Sequence, residues 1–203
     1  MNFIFIILTF LISAVIARIL IPRILLISLR KKLFDIPDDR KIHKRAIPRL
    51  GGVSFFPTTL FAFCLVYAFR LLDGDSISTL YASYLLPELL LFACGMTLLY
   101  LTGIADDLVG VRYRQKFAIQ IFCACLFPLS GLWINDLYGL FGIHELSAYV
   151  GIPFTVLTVV FITNAINLID GIDGLASGLS SVALLVFTFL FISKGLWSYA
   201  CLL

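Results

Sequence analysis

The stretch YVGIPFTVLTVVFITNAINLIDGIDGLASG, residues 149–178, decides the fold of this chain. It begins with an apolar run long enough to cross a bilayer, which takes about 17–25 residues. Two amides and two carboxylates then recur at every third position: Asn164, Asn167, Asp170 and Asp173. Polar groups at a membrane boundary are costly to desolvate, so these four side chains are candidates for function. Clustered oxygen ligands of this kind suit a hard cation such as Mg²⁺.

The composition of the whole chain also indicates a membrane protein. Of the 203 residues, 61% are hydrophobic and 13% are charged, a balance at which a soluble domain could not cover its own core. The net charge of only +3 gives no support to a nucleic-acid partner. The five cysteines have apolar neighbours and lack metal-ligand spacing, so we expect packing residues rather than disulfides or zinc ligands.

Six apolar stretches are long enough to span a bilayer, and a seventh begins at the end of the chain. The predicted spans are residues 3–27, 52–72, 83–104, 116–134, 149–167 and 175–193, with a partial seventh at 195–203. Because hydrocarbon offers no hydrogen-bond partner to the backbone, these spans should be helices. We therefore predict an all-α polytopic membrane protein in which residues 1–203 form a single integral-membrane domain.

The loops between the spans alternate in charge. The first loop, residues 30–49, carries eight Lys or Arg residues, and the third adds Arg112, Arg114 and Lys116, whereas the second and fourth loops are mainly acidic. The positive-inside rule then places the first, third and fifth loops in the cytoplasm and the N-terminus outside. The loops rich in polar chemistry all fall on the cytoplasmic face, which predicts one site there.

Two further loops carry candidate site residues. The first contains DIPDDRKIHKRAIPRLGG, residues 35–52, a basic segment that either binds phosphates or anchors the topology on anionic lipid headgroups. The third contains GIADDLVGVRYRQKFAIQ, residues 103–120. Its adjacent Asp106 and Asp107 are either a general base and metal ligands or exposed acids at a helix end. Lys116 and Gln120 are four residues apart and share one face of the fourth helix.

Together these segments resemble the polyprenyl-phosphate N-acetylhexosamine-1-phosphate transferases of glycosyltransferase family 4, the superfamily of MraY, WecA and TagO. DIPDDRKIHKRAIPRLGG, then DDLVG with KFAIQ, then NAINLIDGIDGLASG match the family motifs in order and spacing. The first motif is closer to the WecA/TagO branch. The resemblance implies transfer of a phospho-N-acetylhexosamine, with GlcNAc-1-phosphate expected, from a UDP-sugar to undecaprenyl phosphate, releasing UMP. It also implies Mg²⁺, with Mn²⁺ as a substitute, and a homodimer in the bacterial inner membrane.

The resemblance further implies roles for individual residues. Asp106 would deprotonate or orient the lipid phosphate, with Asp107 in support. The metal- and nucleotide-binding group would be Asn167, Asp170 and Asp173, although Asp173 or Asp170 could instead cap the sixth helix. The substrate- and phosphate-binding group would be Arg40, His43, Lys44, Lys116 and Asn164.

Two later motifs of the family do not occur in these 203 residues. They are a GD-x-GS motif, whose Asp is a metal ligand, and a His-rich motif; the two histidines here are His43 and His144. We therefore expect a fragment or a truncated gene product. One alternative is a catalytically inactive remnant that binds lipid phosphate or pairs with another chain. The other is a small transporter or structural membrane protein, although transporters place their charges near the bilayer midplane.

Overall fold

The computed structural model of the chain describes residues 2–35, 47–48, 50–72, 76–169 and 174–203. Its helices are α1 Asn2–Arg30, α2 Phe55–Leu72, α3 Ser76–Val109, α4 Tyr113–Leu129, α5 Ala148–Ile169, α6 Leu175–Ser193 and α7 Trp197–Leu202. Two 3₁₀ helices, Gly51–Ser54 and Leu140–Gly142, and two short strands, β1 Phe34–Asp35 and β2 Ile47–Pro48, accompany them. The predicted all-α polytopic membrane architecture is confirmed.

Five helical segments of the described chain are long and apolar enough to cross a bilayer. They are Phe3–Arg30, Gly51–Leu72, Leu85–Val109, Ala148–Ile169 and Leu175–Ser193, and they match five of the six predicted spans. The remaining predicted span, 116–134, is the fourth in chain order and corresponds to α4, which has 17 residues. At 1.5 Å per residue α4 is about 25 Å long, shorter than the hydrocarbon core of about 30 Å.

The end of α4 is set by local chemistry rather than by hydropathy. Gly131 has φ 91°, and its amide donates to the Pro128 carbonyl at 3.0 Å while the Leu132 amide donates to the Phe127 carbonyl at 3.0 Å. This pair of bonds is the Schellman arrangement that closes a helix at a glycine. The helix therefore ends at Leu129, five residues before the predicted end of the span.

The chain forms two compact units. Unit 1 comprises Met1–Thr79 and Ile169–Leu203, and unit 2 comprises Leu80–Leu168. In unit 1, α1 packs against α2 and α7, and α6 packs against α7. Strands β1 and β2 pair antiparallel, with Phe34 opposite Pro48, and close the base of the first loop. That residues 1–203 form a single domain stays a prediction.

Unit 2 consists of most of α3, with α4 and α5. The α3–α4 contact includes an edge-to-face pair of rings, Phe92 and Phe127, with centroids 6.1 Å apart, and a hydrogen bond of 3.4 Å from Cys123 Sγ to the Gly95 carbonyl. Three residues, 110–112, join α3 to α4. Gly110, at φ 73°, permits this sharp reversal because glycine adopts positive φ without steric cost.

Each of the three helices of unit 2 contains a proline: Pro87 in α3, Pro128 in α4 and Pro153 in α5. Proline lacks an amide hydrogen, so each one removes a donor from its helix. Pro128 and Pro153 lie near the junction of α4 and α5, and Glu88, next to Pro87, lines the same small cavity as Ser130 and Leu132. The prolines therefore occupy one end of unit 2, opposite the α3–α4 turn.

Candidate functional site

A charged cluster lies where α3 ends and α4 begins. Lys116 Nζ donates a hydrogen bond to Asp106 Oδ2 at 2.9 Å, and the Val111 amide donates to Asp106 Oδ1 at 3.0 Å. The side chains of Lys116 and Asp106 are 25% and 32% exposed, so the pair is neither fully solvated nor sealed from water. Since both carboxylate oxygens accept hydrogen bonds, Asp106 has a fixed orientation and in turn fixes the ammonium.

The same ammonium reaches the end of α5. Lys116 Nζ lies 3.5 Å from Asn167 Oδ1, at the outer limit of a hydrogen bond. One cation thus lies between a carboxylate of α3 and an amide of α5. A lysine ammonium is a compact point charge with three donors, well suited to a phosphate oxygen. In the described part of the chain, the cluster is a lysine ammonium whose charge is balanced by Asp106, with the neutral amide of Asn167 beside it.

A second polar contact lies one turn deeper between α4 and α5. Asn164 Nδ2 donates to Gln120 Oε1 at 2.8 Å and to the Val160 carbonyl at 2.9 Å. Gln120 is only 5% exposed, and a buried amide is tolerated when it is hydrogen-bonded. The sequence indicated that Gln120 shares a face with Lys116, but no role was predicted for it. The sequence feature that could have indicated a role for Gln120 is its four-residue spacing from Lys116.

The structure brings together four of the predicted site residues: Asp106, Lys116, Asn164 and Asn167. Asp107 lies in the last turn of α3 with an exposed side chain, and its role stays a prediction. Five other predicted residues lie outside the described part of the chain: Arg40, His43, Lys44, Asp170 and Asp173. Gly174 occupies the N-cap position of α6, the position for which Asp173 and Asp170 were the alternative candidates.

Of the three predicted metal ligands, Asn167 lies in the described part of the chain, and Asp170 and Asp173 lie outside it. Within residues 2–35, 47–48, 50–72, 76–169 and 174–203, no three His, Cys, Asp or Glu side chains gather into a ligand cluster. The described side chains near Lys116 that carry oxygen donors are Asp106 and Asn167. Carboxylate and amide oxygens are the ligand type that Mg²⁺ takes. The chemistry of these donors fits the predicted cation, and the ligand set stays a prediction.

The fold and the cluster define a class: a polytopic α-helical membrane protein with a charged site at the ends of its helices. The model of the family described as "Glycosyl transferase family 4" matches residues 89–203, which is more than half of the chain and includes the whole described cluster. The chain belongs to this family, as its motifs predicted.

Three relatives are each 30% identical in sequence to this chain over most of its length. A protein of Bacillus subtilis (strain 168), named "Probable undecaprenyl-phosphate N-acetylglucosaminyl 1-phosphate transferase", is 30% identical over 94% of this chain and 49% of its own length. An undecaprenyl-phosphate alpha-N-acetylglucosaminyl 1-phosphate transferase of Thermotoga maritima is 30% identical over 83% and 47%. A phospho-N-acetylmuramoyl-pentapeptide-transferase of Staphylococcus carnosus is 30% identical over 90% and 58%. The chain spans about half the length of these relatives.

Proposed function

We propose that this chain carries part of the active site of a phosphoglycosyltransferase. The enzyme transfers GlcNAc-1-phosphate from UDP-GlcNAc to undecaprenyl phosphate, at the cytoplasmic face of the bacterial inner membrane. Support comes from family membership and from the printed names of relatives, two of which are N-acetylglucosaminyl 1-phosphate transferases. The homodimer that the resemblance implies is part of the same proposal.

The observation that carries the proposal is the position of Lys116. Its ammonium lies between Asp106 and Asn167, in the first turn of α4 and next to the end of α3. A lipid phosphate and a nucleotide diphosphate are both anions that need a cation at this boundary. Lys116 is already oriented by Asp106, so little side-chain freedom is lost when a phosphate binds.

The proposed reaction is a single displacement at phosphorus. An oxygen of the lipid phosphate forms a bond to the β-phosphorus of the UDP-sugar. The bond from that phosphorus to the bridging oxygen breaks, and its electron pair leaves with UMP. A phosphate monoester is largely ionised near neutral pH because its second pKa is about 6. Positioning and charge neutralisation therefore contribute more than proton removal, which is consistent with Asp106 acting on Lys116.

Mg²⁺, when bound, would neutralise the diphosphate and polarise its oxygens. In this proposal Asn167 holds it together with Asp170 and Asp173. Asp106 would orient the lipid phosphate through Lys116, and Asp107, the next residue, would support it. Arg40, His43 and Lys44 of the first loop would hold the remaining phosphate charge.

The proposal is tested by turnover of the purified 203-residue protein in lipid nanodiscs. Undecaprenyl phosphate, radiolabelled UDP-GlcNAc and Mg²⁺ are supplied, and UMP release and label in the lipid phase are measured. Because the GD-x-GS and His-rich motifs do not occur in these residues, we expect far less product than from the Bacillus subtilis relative, with UMP and labelled lipid in equal amounts and both lost when EDTA removes the metal. If the Bacillus subtilis relative forms product under the same conditions and this protein does not, the chain by itself is not the catalyst.

A further inference from the structure

The connection between α4 and α5, residues 130–147, is an ordered hairpin. Asp136 and Glu145 form an antiparallel bridge, the Leu137 amide donates to the His144 carbonyl at 3.0 Å, and the Leu146 amide donates to the Asn135 carbonyl at 2.8 Å. The 3₁₀ helix Leu140–Gly142 forms the tip. We call this segment the 130–147 hairpin; it lies at the end of unit 2 opposite Asp106 and Lys116.

The first residues of the hairpin pack along α5 rather than extending away from it. The Ile134 amide donates to Thr155 Oγ1 at 2.8 Å, and Thr155 Oγ1 donates to the Gly151 carbonyl at 2.7 Å. Thr155 lies two turns into α5, roughly 10 Å from the start of that helix at 1.5 Å per residue. Ile134 therefore lies at a depth that α5 spans within the membrane.

This packing accounts for the shortness of α4. A 17-residue helix falls about 5 Å short of a hydrocarbon core of about 30 Å. Residues 130–134, which are not helical, cover the remaining depth beside α5. Non-helical backbone is tolerated there because protein groups satisfy its polar atoms, as Thr155 does for Ile134. The tip of the hairpin consequently emerges at the level of the lipid headgroups.

The aromatic side chains at this level are almost fully exposed. Tyr138, Phe141 and Tyr149 are 88%, 90% and 94% exposed. The hairpin contains Asp136 and Glu145 but no Lys or Arg, so anionic lipid would not attract it by charge. Tyrosine rings, which have one apolar and one polar end, are enriched where a membrane meets water. Tyr138 and Tyr149 have this character, and Phe141 adds a wholly apolar ring. These exposed rings are therefore suited to bind the lipid surface through apolar contacts rather than through charge.

We propose that the 130–147 hairpin, together with Tyr149, is a membrane-interface anchor that inserts its aromatic rings among lipid headgroups. The leaflet it enters is the one opposite the Asp106–Lys116 site. The ligand is the lipid surface itself, of zwitterionic or anionic headgroup alike. The anchor fixes the height of α4 and α5 in the bilayer. It does not depend on the transferase activity proposed above.

A single tryptophan at the tip tests the proposal. Trp133 and Trp197 are replaced by Phe, and Phe141→Trp supplies the reporter in the full chain, reconstituted in phosphatidylcholine vesicles. We expect blue-shifted emission, and loss of fluorescence when the lipids are brominated at the upper acyl carbons. Emission typical of water, with quenching by iodide and none by bromolipid, would overturn the proposal.

A matched reporter separates insertion from misfolding. Phe161→Trp, at an exposed position in the middle of α5, is expected to respond most to deeply brominated lipid, whereas the tip responds most to shallow bromines. The tip response should be unchanged by salt and by anionic lipid. If bromolipid fails to quench the tip while Phe161→Trp responds normally, or if quenching appears only at high protein-to-lipid ratio, the hairpin contacts protein or water instead.

Discussion

At the scale of residues, Lys116 and Gln120 each make one polar contact between α4 and α5. Lys116 contacts Asn167 near the end of α5 and also pairs with Asp106. Gln120 contacts Asn164 one turn further into the helix pair. Because the partners are three and four residues apart on antiparallel helices, both contacts are satisfied by the same register.

Replacing Lys116 by methionine should remove the cation and keep the apolar length of the side chain. We expect kcat/KM for the proposed transfer to fall on the order of 100-fold, the usual cost of losing one preorganised electrostatic contact. Lys116→Arg should recover part of the loss, since it restores the charge with a different geometry.

The control for Lys116→Met is Arg114→Gln, measured in the same transfer assay. Arg114 lies two residues away and contacts Tyr113, so its substitution lowers the net charge equally without touching the cluster. Equal losses in Lys116→Met and Arg114→Gln would show that only the overall charge of the loop matters.

Replacing Gln120 by leucine should leave Asn164 with the Val160 carbonyl as its described partner. A leucine of similar volume removes an internal hydrogen bond, which costs about 1 kcal/mol of stability. Thermal unfolding in detergent, followed by circular dichroism, should show a lower midpoint. Gln115→Leu, the same change at an exposed position of α4, should leave the midpoint nearly unchanged; a shared decrease would contradict a specific role for Gln120.

The residues that pair across the site show what a sequence can and cannot predict. The four-residue spacing placed Lys116 and Gln120 on one face, and the three-residue spacing of Asn164 and Asn167 did the same on α5. Which of them meet depends on the register between two helices whose paired residues are 44 and 51 positions apart. Periodicity within one helix contains no information about that register.

At the scale of elements, α4 ends at Leu129, although the apolar span predicted from the sequence continues to residue 134. Residues 130–134 were assigned to a helical span because they are apolar. They are not helical, because the glycine closure after Leu129 ends the helix and Thr155 then accepts a hydrogen bond from the Ile134 amide; their depth in the membrane stays a prediction. Apolarity predicts depth, and the helix end needed the turn chemistry of Ser130 and Gly131. By contrast, α6 has the predicted bounds, 175–193.

Gly151 is the position at which the hairpin and α5 are closest. A Cβ there would lie 2.5 Å from the Ile134 carbonyl oxygen and from the Trp133 ring, so Gly151→Ala must displace backbone. We expect a loss of about 1–3 kcal/mol, typical of overpacking, as a lower thermal midpoint. Gly103→Ala is the matched control because a Cβ there meets nothing within 4 Å. Ala at that helical position should stabilise by up to about 1 kcal/mol.

One outcome would contradict the close packing at Gly151. If Gly151→Ala and Gly103→Ala shift the midpoint alike, the hairpin is not packed on α5, and residues 130–134 must be positioned by other contacts.

At the scale of the whole molecule, orientation follows from loop charge. The basic residues near the first loop and the α3–α4 turn contrast with the acidic 130–147 hairpin, and the difference predicts that the turn faces the cytoplasm. Alkaline phosphatase fused after Phe141 should therefore be active, whereas green fluorescent protein fused after Gly110 should fluoresce. The reverse pattern for the two fusions would invert the proposed topology.

The three prolines make the two ends of unit 2 differ in backbone hydrogen bonding. The end that holds Asp106, Lys116 and Asn167 keeps uninterrupted helices, whereas the end that holds Pro87, Pro128 and Pro153 has lost a backbone donor in each helix. Because sharp bends in helices occur mostly at proline, any bending of unit 2 is expected at the end opposite Asp106, Lys116 and Asn167, and the spacing of these three side chains should change little when the other end bends.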